Sequence, residues 1–160
     1  MMKIEIDGWQ VNIRFSSSHF IPYHGKCSRM HGHDYAIRMI IEGDLGEDFM
    51  LLDFVETKKI LREIVDYLDH HVLVPTKSKE VDVNEVEAKV LISFEDKDYV
   101  IPMDDVVYLD IESTTAEKLS EYILNKLLEK INIPKNIKKL TLCVDEGPGQ
   151  GACYEKVLYK

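Results

Sequence analysis

Residues 33–43, HDYAIRMIIEG, place Tyr35, Ile37, Met39 and Ile41 at every second position. That period of two is the signature of a β-strand with one face buried, so the fold has to supply a layer to cover that face. Residues 9–20 (WQVNIRFSSSHF) read as a second strand, with Val11, Ile13 and Phe15 alternating against polar neighbours. The covering layer is legible further on. Asp53 and Glu56 form a capping box that opens a helix running to about Leu68, with Ile60, Leu61, Ile64, Val65 and Leu68 as its apolar stripe. A second helix opens at Thr114 with Glu117 three residues on. It runs to about Ile131 and buries Leu119, Tyr122, Ile123 and Leu127, with Pro134 just beyond its end. Residues 138–145 and 153–159 read as a closing pair of strands. Residues 75–112 read as an inserted β-hairpin: KVLISFED and DYVIPMDD have strand character, the Glu95–Asp98 run makes the turn, and its acids, Asp104 and Asp105 included, form a solvated face. The expectation is an α+β domain over residues 1–160, an antiparallel sheet with two helices packed on one face, plus the inserted hairpin.

A chain of 160 residues fits one domain. The net charge of −9 repels nucleic acid and anionic membrane surfaces, so neither is an expected partner. No apolar run approaches the ~18 residues of a membrane span, and the N-terminus lacks a signal-peptide pattern. A cytoplasmic location is expected. Cys27, Cys143 and Cys153 are odd in number and scattered, which argues against a disulfide framework and for a reduced compartment; Cys143 and Cys153, on expected strands, are read as core residues.

The six histidines all lie between His19 and His71, and four fall within His19–His33. His31 and His33, two apart on an extended segment, point to the same side, and His19 from an antiparallel neighbour could complete a three-imidazole site. Zinc accepts three imidazoles at about 2.0–2.1 Å and keeps a fourth position open. Polar histidines at a strand edge are the alternative. Cys27, four residues before His31, is either a thiolate base near the metal or a buried or zinc-ligating cysteine. Asp69 beside His70 can orient an imidazole and stabilise its charged form. His24 and His71 have no assignable role. Glu146, after a strand, either accepts two hydrogen bonds from an amidine-like ring edge or is a solvated loop acid.

One order joins these clusters: His19; Cys27-x-x-x-His31-Gly-His33-x-Tyr35; Asp53-Phe54; Leu68-Asp69-His70; Thr114-Thr115-Ala116-Glu117; Glu146 with Tyr154 behind it. Over residues 10–73 and 113–156 the chain resembles the 6-pyruvoyltetrahydropterin synthase and 6-carboxytetrahydropterin synthase family, whose members adopt the tunnelling fold. The resemblance implies that His19, His31 and His33 bind zinc and that Cys27 is the catalytic base. It further implies that Asp69 and His70 relay protons, that Glu146 anchors the pterin and that Thr115 contacts its ring. The three-residue gap between Cys27 and His31 resembles the carboxy branch, the animal pyruvoyl branch having a longer one. The implied reaction converts 7,8-dihydroneopterin triphosphate to 6-carboxytetrahydropterin and acetaldehyde, on the way to queuosine- or archaeosine-type 7-deazapurines. Lys26 and Arg29 are the nearest cations for the phosphates. The implied assembly is a homohexamer, a dimer of trimers, with Cys27 and the Asp69–His70 pair from different chains. The rivals are a sister enzyme with a pyruvoyl or aldolase-type product, and a pterin- or metal-binding protein without catalysis. The departures from the family pattern are Val74 for the usual Asn, Gly147 for Thr, Ser17-Ser18 for a small apolar pair, and the segment 75–112.

Overall fold

The computed structural model describes residues 1–158. The long strand is β3, His31–Gly43, and it organises the molecule. Two strands share its one edge: β1 (Met2–Asp7) pairs antiparallel with its second half and β2 (Arg14–His19) with its first half. Between them the chain makes a single helical turn, α1 (Gly8–Val11), where a continuous strand from residue 9 was expected. The break has local causes. Asp7 caps the turn through the Trp9 N–H at 2.9 Å, and Asn12 takes a left-handed φ of 55°. Gly8 passes so close to β3 that a Cβ there would lie 2.2 Å from the Ile37 carbonyl oxygen.

Helix α2 (Phe54–Leu68) starts where the capping box places it, with the Asp53 side chain accepting from the Val55 N–H at 2.7 Å. Helix α3 (Ala116–Lys130) starts later than expected, with Thr115 as its cap. Thr114 is instead fully buried, its hydroxyl donating to the Phe20 carbonyl. Both helices cover one face of the sheet, against Phe15, Tyr35, Ile37, Met39 and Ile41, all at most 1% exposed. Each such aliphatic side chain contributes about 2 kcal/mol by leaving water. Tyr122 is only partly buried; Ala116, Ser120 and Leu124 fill the α3 face beside Leu119, Ile123 and Leu127.

The segment 75–112 differs from the expected hairpin. Its flanks, β4 (Val72–Pro75) and β8 (Val106–Leu109), extend the main sheet beyond β2, and both pairings are parallel. The main sheet is therefore mixed, in the order β10-β9-β3-β2-β4-β8. Between the flanks, β5 (Asp82–Val86), β6 (Lys89–Phe94) and β7 (Lys97–Pro102) form a separate three-stranded antiparallel sheet. Strand β6 alternates buried Val90, Ile92 and Phe94, which need a cover; Phe20 and Val74 of the main sheet provide it and make a second core. The polar β5, DVNEV, has too weak an apolar pattern to announce itself as a strand.

The closing strands are β9 (Ile137–Glu146) and β10 (Gly151–Val157); Tyr159, expected at the end of the last strand, lies outside the described residues. Their register sets Cys153 opposite Cys143, and the two form a disulfide. This corrects the expectation of free core thiols. Only the antiparallel register shows that residues ten apart in sequence face one another.

Candidate active site

Strands β2 and β3 assemble the histidines. Their register pairs Phe15 with Tyr35, Ser17 with His33 and His19 with His31, so all six side chains lie on the same face. Ser17 is small and turns its hydroxyl away to the Leu68 carbonyl at 2.6 Å, leaving room for three rings. One ligand atom from each of His19, His31 and His33 lies within 4.8 Å of the others. Below them Tyr35 stacks on Phe15 at 4.6 Å and stands edge-on to His33 at 5.3 Å. The Tyr35 hydroxyl is buried without a hydrogen-bond partner, and burial, then the Glu146 charge, push its pKa upward.

Hydrogen bonds set the tautomers. His19 Nδ1 lies 2.9 Å from the Thr114 carbonyl oxygen, and His31 Nδ1 lies 2.7 Å from that of Arg29. Carbonyls only accept, so both Nδ1 atoms carry the proton and donate it. Both Nε2 lone pairs then face each other at 3.1 Å, which a cation between them satisfies. His19 is 1% exposed, and burial, aided by the neighbouring His31 and His33, lowers its pKa to about 4 against the Thr114 hydrogen bond. It is neutral at physiological pH, the form in which imidazole binds metal. The donor set, three imidazole nitrogens with two of the rings oriented by backbone carbonyls, fits a divalent metal.

The histidines open onto a cavity of about 520 Å³ that Cys27, Thr115 and Glu146 also line. Cys27 is a free, half-buried thiol on a short turn, Gly25–Ser28, and its carbonyl accepts from the Ile21 N–H at 2.7 Å. Glu146 ends β9 opposite Tyr35, with Oε2 3.9 Å from His33 Nε2. Three polar lining residues were assigned no site role from the sequence: His24, Glu117 and Gln150. Glu117 was visible as a helix-capping residue and as the last residue of the Thr114–Glu117 motif. Lys26 and Arg29 are exposed and do not line the cavity, and no other lysine or arginine among the described residues does.

The Asp69–His70 pair is built well but elsewhere. Asp69 ends α2, accepting from the Ser16 N–H at 2.7 Å through one oxygen and from His70 Nδ1 at 2.7 Å through the other. Burial would raise the Asp69 pKa, but the Ser16 N–H and His70 outweigh it and hold the carboxyl below its ordinary value. The Ser16 group that holds Asp69 is its backbone N–H, in the plane of the sheet and not on the face that carries His19, and the His70 side chain is 83% exposed. It borders a different cleft, with Ser16, Ser18 and Asp34, which meets the first one only at His33. Within one chain, the pair and Cys27 do not meet in one cavity.

Residues 9–157 match the family model of 6-pyruvoyl tetrahydropterin synthase. The chain belongs to this family. Among family relatives, a Methanocaldococcus jannaschii protein, provisionally named a 6-carboxy-5,6,7,8-tetrahydropterin synthase, is 38% identical over 98% of both chains. The 6-carboxy-5,6,7,8-tetrahydropterin synthase of Haemophilus influenzae is 29% identical over 71% of this chain and 76% of its own. The crystal structure of the Plasmodium vivax 6-pyruvoyl tetrahydropterin synthase, 28% identical, superposes with a TM-score of 0.91 over 98% of both chains. Such coverage leaves no room for segment 75–112 to be unmatched, so the inserted sheet is not private to this member of the family.

Proposed function

We propose that this family member is a zinc-dependent 6-carboxytetrahydropterin synthase that acts on 7,8-dihydroneopterin triphosphate. The names of the M. jannaschii and H. influenzae relatives support the carboxy product. The observation that carries the reading is the convergence of three imidazoles, a free thiol and a carboxylate on one cavity.

His19, His31 and His33 would hold the metal. When bound, zinc supplies Lewis acidity towards the oxygens of the substrate side chain. Glu146 accepts hydrogen bonds from the pterin N3–H and 2-amino group, which requires an acceptor at both of its oxygens. Thr115 packs against the ring. The Cys27 thiolate takes a proton from the substrate side chain, and His70 of a neighbouring chain, oriented by Asp69, returns or accepts one. Loss of triphosphate, addition of one water at the first side-chain carbon and cleavage of its bond to the second give 6-carboxytetrahydropterin, acetaldehyde and free triphosphate. His70 is exposed and lines a cleft other than that of Cys27, which supports a site shared between the subunits of a homohexamer. The product would feed 7-deazapurine nucleosides of the queuosine or archaeosine type, and the enzyme would work in the cytoplasm. No described helix is long and apolar enough to cross a membrane.

Incubation of the zinc-loaded protein with dihydroneopterin triphosphate, followed by mass spectrometry, tests the reading. Release of 6-carboxytetrahydropterin and acetaldehyde is expected. A pyruvoyl product would move the protein to the sister reaction, which the likeness to the P. vivax synthase favours. Pterin binding without turnover would leave a binding protein.

A further inference from the structure

Between His19 and His31 the chain leaves the sheet, turns through Cys27 and returns. The excursion is irregular: Tyr23 has a φ of 58° and Gly25 a φ of 54°. A tyrosine stays in that left-handed region only where its surroundings hold it. The inserted sheet provides the hold, and it does so on both sides of Cys27. On the N-terminal side, Phe94 stacks on Phe20 at 4.3 Å and the Glu95 carboxylate accepts the Tyr23 N–H at 2.9 Å. On the C-terminal side, the Lys97 ammonium donates to the Ser28 hydroxyl at 3.1 Å, and the Tyr99 hydroxyl accepts the Met30 N–H at 3.4 Å. Glu95 and Lys97 are themselves ion-paired across the β6–β7 turn, with side chains 18% and 28% exposed, and Ser28 is 6% exposed.

An ion pair in a solvated turn contributes little by itself. This one is different in where its remaining valences go. Glu95 spends its second oxygen on a backbone N–H before Cys27, and Lys97 spends a proton on the hydroxyl immediately after it. The acids of this turn are thus not simply a solvated face. We infer that Glu95 and Lys97, at the tip of the inserted sheet, are positioning residues that hold the Cys27 turn beside the three-histidine cluster. The inference rests on the reading of Cys27 as the base. It gives segment 75–112 a part in the reaction: the sheet lines no wall of the cavity, yet it fixes the one segment that carries the thiol.

The test compares Glu95→Ala, Lys97→Ala and Lys97→Arg with the wild type by three measurements. These are zinc content, kcat and KM for dihydroneopterin triphosphate, and the rate at which iodoacetamide alkylates Cys27, read by peptide mass spectrometry. The alanine variants are expected to lower kcat about tenfold while KM and zinc content stay within about twofold, because a misplaced base costs turnover and not binding. Alkylation of Cys27 should quicken about threefold or more as the turn loosens. Lys97→Arg, which keeps both the charge and a donor, should recover most of kcat. Unchanged alkylation overturns the inference, as does unchanged kcat in an enzyme that Cys27→Ala inactivates. Zinc lost together with kcat also overturns it, since the substitution would then act on the metal site. Should Cys27→Ala itself keep wild-type turnover, the base assignment falls on that result alone, and the alkylation rates still decide whether Glu95 and Lys97 hold the turn.

Discussion

The three-histidine cluster and the Asp69–His70 pair are both built by β2, yet they end in opposite situations. Odd-numbered residues of β2 face the helices, and there His19 is buried, neutral and oriented by a carbonyl. The backbone of the same strand serves the pair: the Ser16 N–H anchors Asp69, while His70 stands in solvent. The cluster is assembled inside the chain; the pair is oriented but, within one chain, His70 does not line the cavity that holds Cys27. The contrast teaches that one strand can orient a buried cluster through its side chains and an exposed pair through its backbone; under the proposed shared site, a second subunit reunites them.

The strongest way to break the comparison is to empty the cluster. His31→Ala should reduce zinc from about one per chain to a trace and lower kcat by about a thousandfold or more, since Lewis-acid stabilisation is worth several kcal/mol. Elemental analysis alongside the product assay checks both; full zinc in the variant would show that the imidazoles are not the ligands.

Next in size is the division itself. Cys27→Ala and His70→Ala should each lose about 10² to 10⁴ of activity, as removal of a proton-transfer group does. Dissociated, mixed and reassembled, they should regain activity at about a quarter of the sites, the fraction that random assembly of a head-to-tail interface makes intact. Mixed oligomers verified by mass spectrometry but still inactive would return both halves to a single chain.

A smaller effect is expected at Glu146. Glu146→Gln replaces one acceptor oxygen by a donor, and pterin binding should weaken by about tenfold, or ~1.4 kcal/mol. Calorimetry with a non-reactive pterin measures it, and zinc content should not change.

The smallest concerns Asp69. Its folded pKa is lowered, so its contribution to stability is present above the unfolded value near 3.9 and is lost as pH falls through the folded value. Because the pair is partly solvated, Asp69→Asn should cost under about 1 kcal/mol at pH 7. Urea midpoints of variant and wild type should converge as pH drops below about 4. A gap that persists in acid would assign the effect to packing and not to charge.

Much of this molecule was legible from local pattern. The alternation in β3, the Asp53 cap of α2, the stripe of α3 and the same-side pair His31 and His33 follow from periods and capping chemistry that involve only a few neighbouring residues. The third histidine of the cluster, His19, was legible because strand pairing sets it opposite His31. The disulfide partner of Cys143, the parallel addition of β4 and β8, the polar strand β5 and the helical turn at Gly8 were not legible from such patterns. Nor were the grip of Glu95 and Lys97 on the Cys27 turn and the outward face of His70. The sequence by itself determined strands β2, β3, β6, β7, β9 and β10, the two main helices and the chemical types of the site. Only the tertiary structure decided which faces meet. Register and layer stacking depend on contacts between residues far apart in the chain, such as Tyr23 with Glu95 and Ser16 with Asp69, and no local period encodes them.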